Sequence, residues 1–190
     1  TADLLGVMLL DSAHIQEKEA EWEAKRAHNG RGRGQSHPIL YTVAQAQACL
    51  RQLRREEYDQ PFQPHPAVRV CLRDAGHILG SAIAEVWVEE AGATRKLVFS
   101  GDLGMPARPV LCDPQPIESA DVLLVESTYG NRLHKSLEAT EDELVEAIER
   151  TLRRKRGNVI MPAFSVGRTQ EVIFVLADLV RRGRLKDLQV

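Results

Sequence analysis

Three short runs rich in branched residues, Val68–Leu72, Ala82–Val88 and Lys96–Phe99, succeed one another after the proline-punctuated stretch Pro61–Pro66, and they constrain the fold more than any other feature. Side chains branched at Cβ fit a pleated surface better than a helix. The second run also alternates in the manner of a strand. The region of Gly92 makes the turn between the last two, so the group looks antiparallel. Asp121–Glu126 adds a further strand, whose unbroken apolar run reads as buried.

Helical segments flank this group. Residues from about Asp11 to His28 are good helix formers, with Asp11 or Ser12 able to cap the start. Asn29–Ser36, with Arg31 and Arg33 among glycines, has no period and reads as a flexible basic loop. Thr42-Val43-Ala44-Gln45 fits a capping box for a helix running to about Tyr58. A third helix is expected from the capping box Thr140-Glu141-Asp142-Glu143, with Leu144, Ile148 and Leu152 on one face. Arg153–Arg156 would complement its negative end, and Gly157 would terminate it. Val159–Met161 is then a short strand, and Gly167–Arg182 a last helix with Val172, Val175, Leu176 and Leu179 on its apolar side. The order predicts a mixed α/β fold.

Composition excludes several classes. The 43% apolar and 27% charged content is that of a soluble globular chain, and 190 residues suffice for one or two domains. No apolar run approaches the roughly 18 residues of a membrane span. Leu4–Leu10 lacks the basic lead-in and cleavage site of a signal peptide. Cys49, Cys71 and Cys112 are widely spaced and form no C-x-x-C pair, as for reduced cysteines in a cytoplasmic protein. A net charge of −2 gives no global attraction for nucleic acid, so any polyanion site must be local. The chain opens on Thr1 and ends just after a helix, and reads as a segment of a longer one.

Polar residues that packing does not explain stand at three strand ends. His77, in Asp74-Ala75-Gly76-His77-Ile78-Leu79-Gly80-Ser81, sits where the backbone turns sharply and presents an imidazole to a cleft; taken alone, it reads as a surface or core histidine. Asp102, in Phe99-Ser100-Gly101-Asp102-Leu103-Gly104, is either a turn residue or a carboxylate ligand able to bridge two metal ions. Glu126, in Val125-Glu126-Ser127-Thr128-Tyr129-Gly130-Asn131-Arg132, closes a buried run, where it must find a partner or shift its pKa; a capping role is the alternative.

Together these motifs resemble consecutive motifs of the β-CASP branch of the metallo-β-lactamase superfamily, which includes the nuclease of mRNA 3′-end processing and prokaryotic ribonucleases. Asp11-Ser12-Ala13-His14-Ile15-Gln16-Glu17 is similar to a segment of the prokaryotic members, and Pro162–Glu171 to the strand-to-helix passage of the β-CASP insertion. The resemblance implies a partial αββα sandwich over residues 1–125 and the start of a Rossmann-like β-CASP domain over 126–190. It implies His77 as a zinc ligand, Asp102 as the carboxylate bridging two zinc ions and taking part in catalysis, and Glu126 as the acidic motif supporting a catalytic histidine. Zinc-dependent hydrolysis of RNA, endonucleolytic or 5′-to-3′ exonucleolytic, would be the activity. RNA would be the partner, with the protein acting as a homodimer or within an RNA-processing complex.

The family's His-x-His-x-Asp-His motif does not occur in this sequence, and neither do two later histidine motifs; they are expected before Thr1 and after Val190. His14, His28, His37, His65 and His134 show no ligand spacing. The chain alone is thus expected to hold an incomplete, inactive site. Two rivals stay open: a hydrolase of small esters, and a non-catalytic scaffold subunit. Ser165 and Arg168, which precede or open a helix, are candidates for binding phosphate; helix capping explains them equally. Arg31, Arg33, Arg51, Arg54 and Arg55 could contact RNA, or could simply be solvated.

Overall fold

The computed structural model describes residues 1–28, 38–133, 135–154, 156–186 and 188–190. The loop expected at Asn29–Ser36, with Arg31 and Arg33, lies outside these residues, as do His37 and His134. The chain divides into two compact units, Thr1–Glu57 and Tyr58–Val190.

The first unit is helical. Helix α1 runs Ala2–His28, and α2 runs Val43–Leu50. Helix α1 begins well before the expected Asp11, because the run Leu4–Leu10 is rich in strong helix formers and has no proline to stop it. Ser12, expected at the cap, is therefore inside the helix, where its hydroxyl accepts from Tyr41 Oη at 2.9 Å. Glu17 Oε1 accepts from Val43 N at 3.0 Å and so ties α1 to the start of α2. The Thr42 capping box forms as expected, with Thr42 Oγ1 accepting from Gln45 N and Gln45 Oε1 from Thr42 N. Helix α2 ends at Leu50, short of the expected Tyr58. Tyr58 instead pairs with Leu72 beside the sheet, which requires extended backbone.

The second unit is built on one five-stranded sheet, β1 (Phe62–His65), β2 (Val68–Asp74), β3 (Ala82–Glu90), β4 (Ala93–Phe99) and β5 (Val122–Leu124), in that spatial order. The first four strands are antiparallel, and β5 joins β4 in parallel. Ala91 and Gly92 make the β3–β4 turn with φ of 50° and 78°. That is the backbone a two-residue hairpin needs to match the strand twist. β1 was not legible, since prolines obscure a strand of this length. The register places Val70, Val86 and Leu97 side by side on one face, with Cys71, Glu85 and Val98 on the other.

The second face holds the buried core of the sheet, Ala75, Ile83 and Val98, with Leu103 and Ile117 against it. It also holds a charged cluster. Glu85, only 4% exposed, accepts from Arg73 Nε at 2.6 Å and pairs with Lys96 Nζ at 2.5 Å. Arg73 also donates to Asp59 Oδ1 at 2.6 Å. β5 is not the buried strand expected: Val122, Leu123 and Leu124 are 42%, 58% and 50% exposed. It is the edge strand, and among the described residues β4 alone pairs with it.

Helices α3 (Leu137–Glu149) and α4 (Arg168–Arg181) form a second core, in which Ile148, Leu176, Leu179 and Leu185 are buried. Each such side chain contributes roughly 1.5–3 kcal/mol by leaving water. The predicted faces hold, since Leu144, Leu152, Val172 and Val175 pack against this cluster. The predicted start of α3 does not. Ser136 is its N-cap, accepting from Ala139 N at 3.2 Å, and Thr140 lies within the first turn. After α3 the chain winds wider over Arg150–Arg154, as a π-helical turn. Val159–Met161 is not a strand. Val159 and Met161 face the helical core while Ile160 is 87% exposed, but this segment pairs with no strand among the described residues.

Candidate metal and phosphate site

The loops after β2 and β4 and the end of β5 converge at one end of the sheet. β2 ends at Asp74, whose Oδ1 accepts from Gly76 N at 2.8 Å and bends the chain into the His77 loop. β4 ends at Phe99, and the chain then passes through Gly101 to Asp102. The two loops are held against each other by backbone contact. Gly104 N donates to Ala75 O at 2.8 Å. A Cβ on Gly104 would lie 1.7 Å from the Gly76 carbonyl oxygen, and one on Gly76 would lie 2.7 Å from that of Cys112. Both positions need glycine because the main chains leave no room for a side chain.

That contact brings His77 Nε2 to 3.8 Å from Asp102 Oδ2, with side chains 42% and 76% exposed. Imidazole and carboxylate are normal zinc donors at about 2.0–2.2 Å, so donors up to roughly 4 Å apart can share one ion. The pair therefore fits a divalent metal as two of its ligands. Among the described residues no group of three or more His, Cys, Asp or Glu side chains gathers to hold a metal ion.

Glu126 stands behind the Asp102 loop. Its Oε1 accepts from Leu103 N at 2.8 Å and its Oε2 from Thr128 N at 3.1 Å. These bonds, that of Leu103 first, hold its carboxyl below the usual range, with a smaller contribution from His77. The expectation that this carboxylate needs a partner is met, although the run before it is exposed. Ser100, 4% exposed, completes the seam, its hydroxyl accepting from Glu126 N at 3.0 Å.

Gly167, between Ser165 and Arg168 in sequence, lies against the loop that carries His77. This glycine is the N-cap of α4, with φ of 83°, and a Cβ there would lie 2.9 Å from Ile78 Cγ2, next to His77 in sequence. No side chain caps the helix, so Ser165 is not its cap. Gln170 Nε2 instead donates to Ser165 O at 2.9 Å, and Arg168 pairs with Glu171 at 3.3 Å. Ser81, Ser100 and Gly104 stand in the motifs without any sequence signal strong enough to single them out as supports of the site. For Ser81 the nearest to one is its place four residues after His77, in a loop bounded by glycines.

No family model matches the chain. It is 42% identical over 110 residues to ribonuclease TTHA0252 of Thermus thermophilus, an alignment covering 58% of this chain and 24% of that protein. It is 31% identical over 153 residues to the RNase J-like protein of Methanocaldococcus jannaschii, covering 79% of this chain and 35% of that protein. It is 29% identical over 193 residues to the transcription termination factor FttA of Methanothermobacter thermautotrophicus, covering 100% of this chain and 27% of that one. The chain belongs to the β-CASP metallo-β-lactamase family. This β-CASP chain spans a quarter to about a third of the length of these relatives, at 24%, 27% and 35%. Among its described residues no helix is long and apolar enough to cross a membrane.

Proposed function

We propose that this chain supplies part of the active site of a zinc-dependent ribonuclease that hydrolyses RNA phosphodiester bonds. One observation carries the reading: His77 Nε2 and Asp102 Oδ2 stand 3.8 Å apart at the end of the sheet where three loops meet. A zinc ion there would supply Lewis acidity and bring a bound water close to neutrality in pKa.

The residues of the chain divide the remaining work. His77 offers an imidazole nitrogen and Asp102 a carboxylate oxygen, 3.8 Å apart. Glu126 fixes the Asp102 loop through Leu103 N–H. Ser165 and Arg168 would meet the phosphate of an RNA strand, a reading supported by the approach of Gly167, which lies between them, to Ile78 of the His77 loop. The names of two relatives, a ribonuclease and an RNase J-like protein, support RNA as the substrate class. Three free cysteines support a cytoplasmic setting.

The test is zinc content by elemental analysis beside cleavage of a labelled single-stranded RNA, for the intact protein and its His77→Ala and Asp102→Ala variants. Zinc and cleavage both lost in the variants is the expected result. Cleavage retained in both variants would sink the reading.

A further inference from the structure

The loop that carries His77 runs between two glycines with left-handed backbone, Gly76 (φ 63°) and Gly80 (φ 80°). Glycine leaves such a loop many conformations. One residue selects among them. Ser81 Oγ accepts from His77 N at 3.0 Å and from Ile78 N at 3.2 Å. Its backbone N–H donates to Ile78 O at 3.0 Å, and its carbonyl accepts from Ala75 N at 3.2 Å. That carbonyl also accepts from Tyr58 Oη at 2.7 Å, which fixes Ser81 to the extended segment beside β2. The hydroxyl is thus a bridge between an anchored point of the sheet and the backbone on which the imidazole is mounted.

We propose that Ser81 is a positioning residue for His77, its hydroxyl holding the His77 and Ile78 N–H groups so that the imidazole and Asp102 face one divalent cation. The inference rests on the metal reading above. His77 is exposed and Ile78 half-buried, so water can replace part of the lost bonding when the hydroxyl is removed. The fold then loses little while the aim of the ligand loosens. Removal of a group that orients a metal ligand typically weakens metal binding by about 10–100-fold.

The experiment measures zinc affinity of the intact protein by competition with a chromophoric chelator, and the Tm of the metal-free form. It compares wild type with Ser81→Ala, Ser81→Thr, His77→Ala and Asp102→Ala. Ser81→Ala is expected to bind zinc about tenfold more weakly at nearly unchanged metal-free Tm, with Ser81→Thr, which keeps the hydroxyl, close to wild type. If Ser81→Ala does not fold, Tyr58→Phe takes its place. It frees only the Ser81 carbonyl, and several-fold weaker zinc binding is expected. Wild-type affinity in Ser81→Ala (or its stand-in) with zinc lost in His77→Ala overturns the role of Ser81 and leaves the metal reading standing. Ser81→Thr as weak as Ser81→Ala overturns it as well, since the hydroxyl would not be the cause. Wild-type zinc binding in both His77→Ala and Asp102→Ala overturns the metal reading itself.

Discussion

Gly104 lies against Gly76 so closely that a methyl group on the first would fall 1.7 Å from the carbonyl oxygen of the second. The obstacle is backbone, which cannot rotate away as a side chain does. Gly104→Ala must therefore part the two loops that align His77 with Asp102. The expected cost is about 3 kcal/mol or more, at the upper end of overpacking. Gly92→Ala is the control: it has the same added methyl and open space around it, but φ of 78°. Its cost should be only the roughly 1–2 kcal/mol of left-handed backbone. Urea denaturation of both variants decides; equal losses would show that the Gly104 contact has no special weight.

Glu85 joins three strands through charge. Burial alone would raise its pKa, yet Lys96 and Arg73 outweigh that and hold the carboxyl low. Glu85→Ala leaves both cations facing a partly buried void, and breaking such a pair from one side costs about 3 kcal/mol. Trp87 softens the loss for Lys96, whose Nζ stands 5.3 Å from its ring centroid. A double-mutant cycle with Arg73→Met measures the coupling. A coupling near zero would mean the contact at 2.6 Å is incidental.

The strands β2, β3 and β4 and the apolar faces of α3 and α4 were legible because period, turn chemistry and branching all agree there. The boundaries that failed share a cause. Asp11, Ser12 and Thr140 are good caps by type, but helix ends depend on which neighbours receive the free N–H groups. Ser136 does so for α3, and the apolar run Leu4–Leu10 carries α1 past Asp11. Exposure of β5 was equally hidden, since an apolar run does not say whether anything covers it. At the candidate site the motifs singled out His77, Asp102 and Glu126, and the structure brings the first two within 3.8 Å of each other. Their supports were not legible: Ser81, Ser100 and Gly104 act through backbone contacts, which only the folded loops bring together.

Arg156, past the π-helical turn Arg150–Arg154, has φ of 51°, a left-handed position that costs a side-chain-bearing residue free energy. Gly157 N donates to Thr151 O at 3.1 Å, closing the turn around it. The sequence placed the terminating glycine at 157; the residue that needs to be glycine is the one before it. Arg156→Gly should therefore raise stability by about 0.5–1 kcal/mol. Thermal unfolding of the single variant tests this, and a lower Tm would show that the Arg156 side chain does more than tolerate its backbone.

Glu126 should make the stability of this region depend on pH in one direction only. Its folded pKa is lowered by the Leu103 and Thr128 N–H donors, so the folded state binds its proton less readily than the unfolded chain. The stabilisation is fully present above the unfolded carboxylate value, about 4.3. It fades as pH falls through the folded value, which lies below that. Glu126→Gln presents an amide group to one of two N–H donors, so it should be less stable than wild type at neutral pH. The gap should narrow in acid as the wild-type carboxyl takes up its proton. Urea midpoints of both proteins from pH 7 to pH 3 test the sign. A gap that stays constant over that range would mean that the carboxylate charge contributes nothing to holding the Asp102 loop, and that shape alone keeps Leu103 in place.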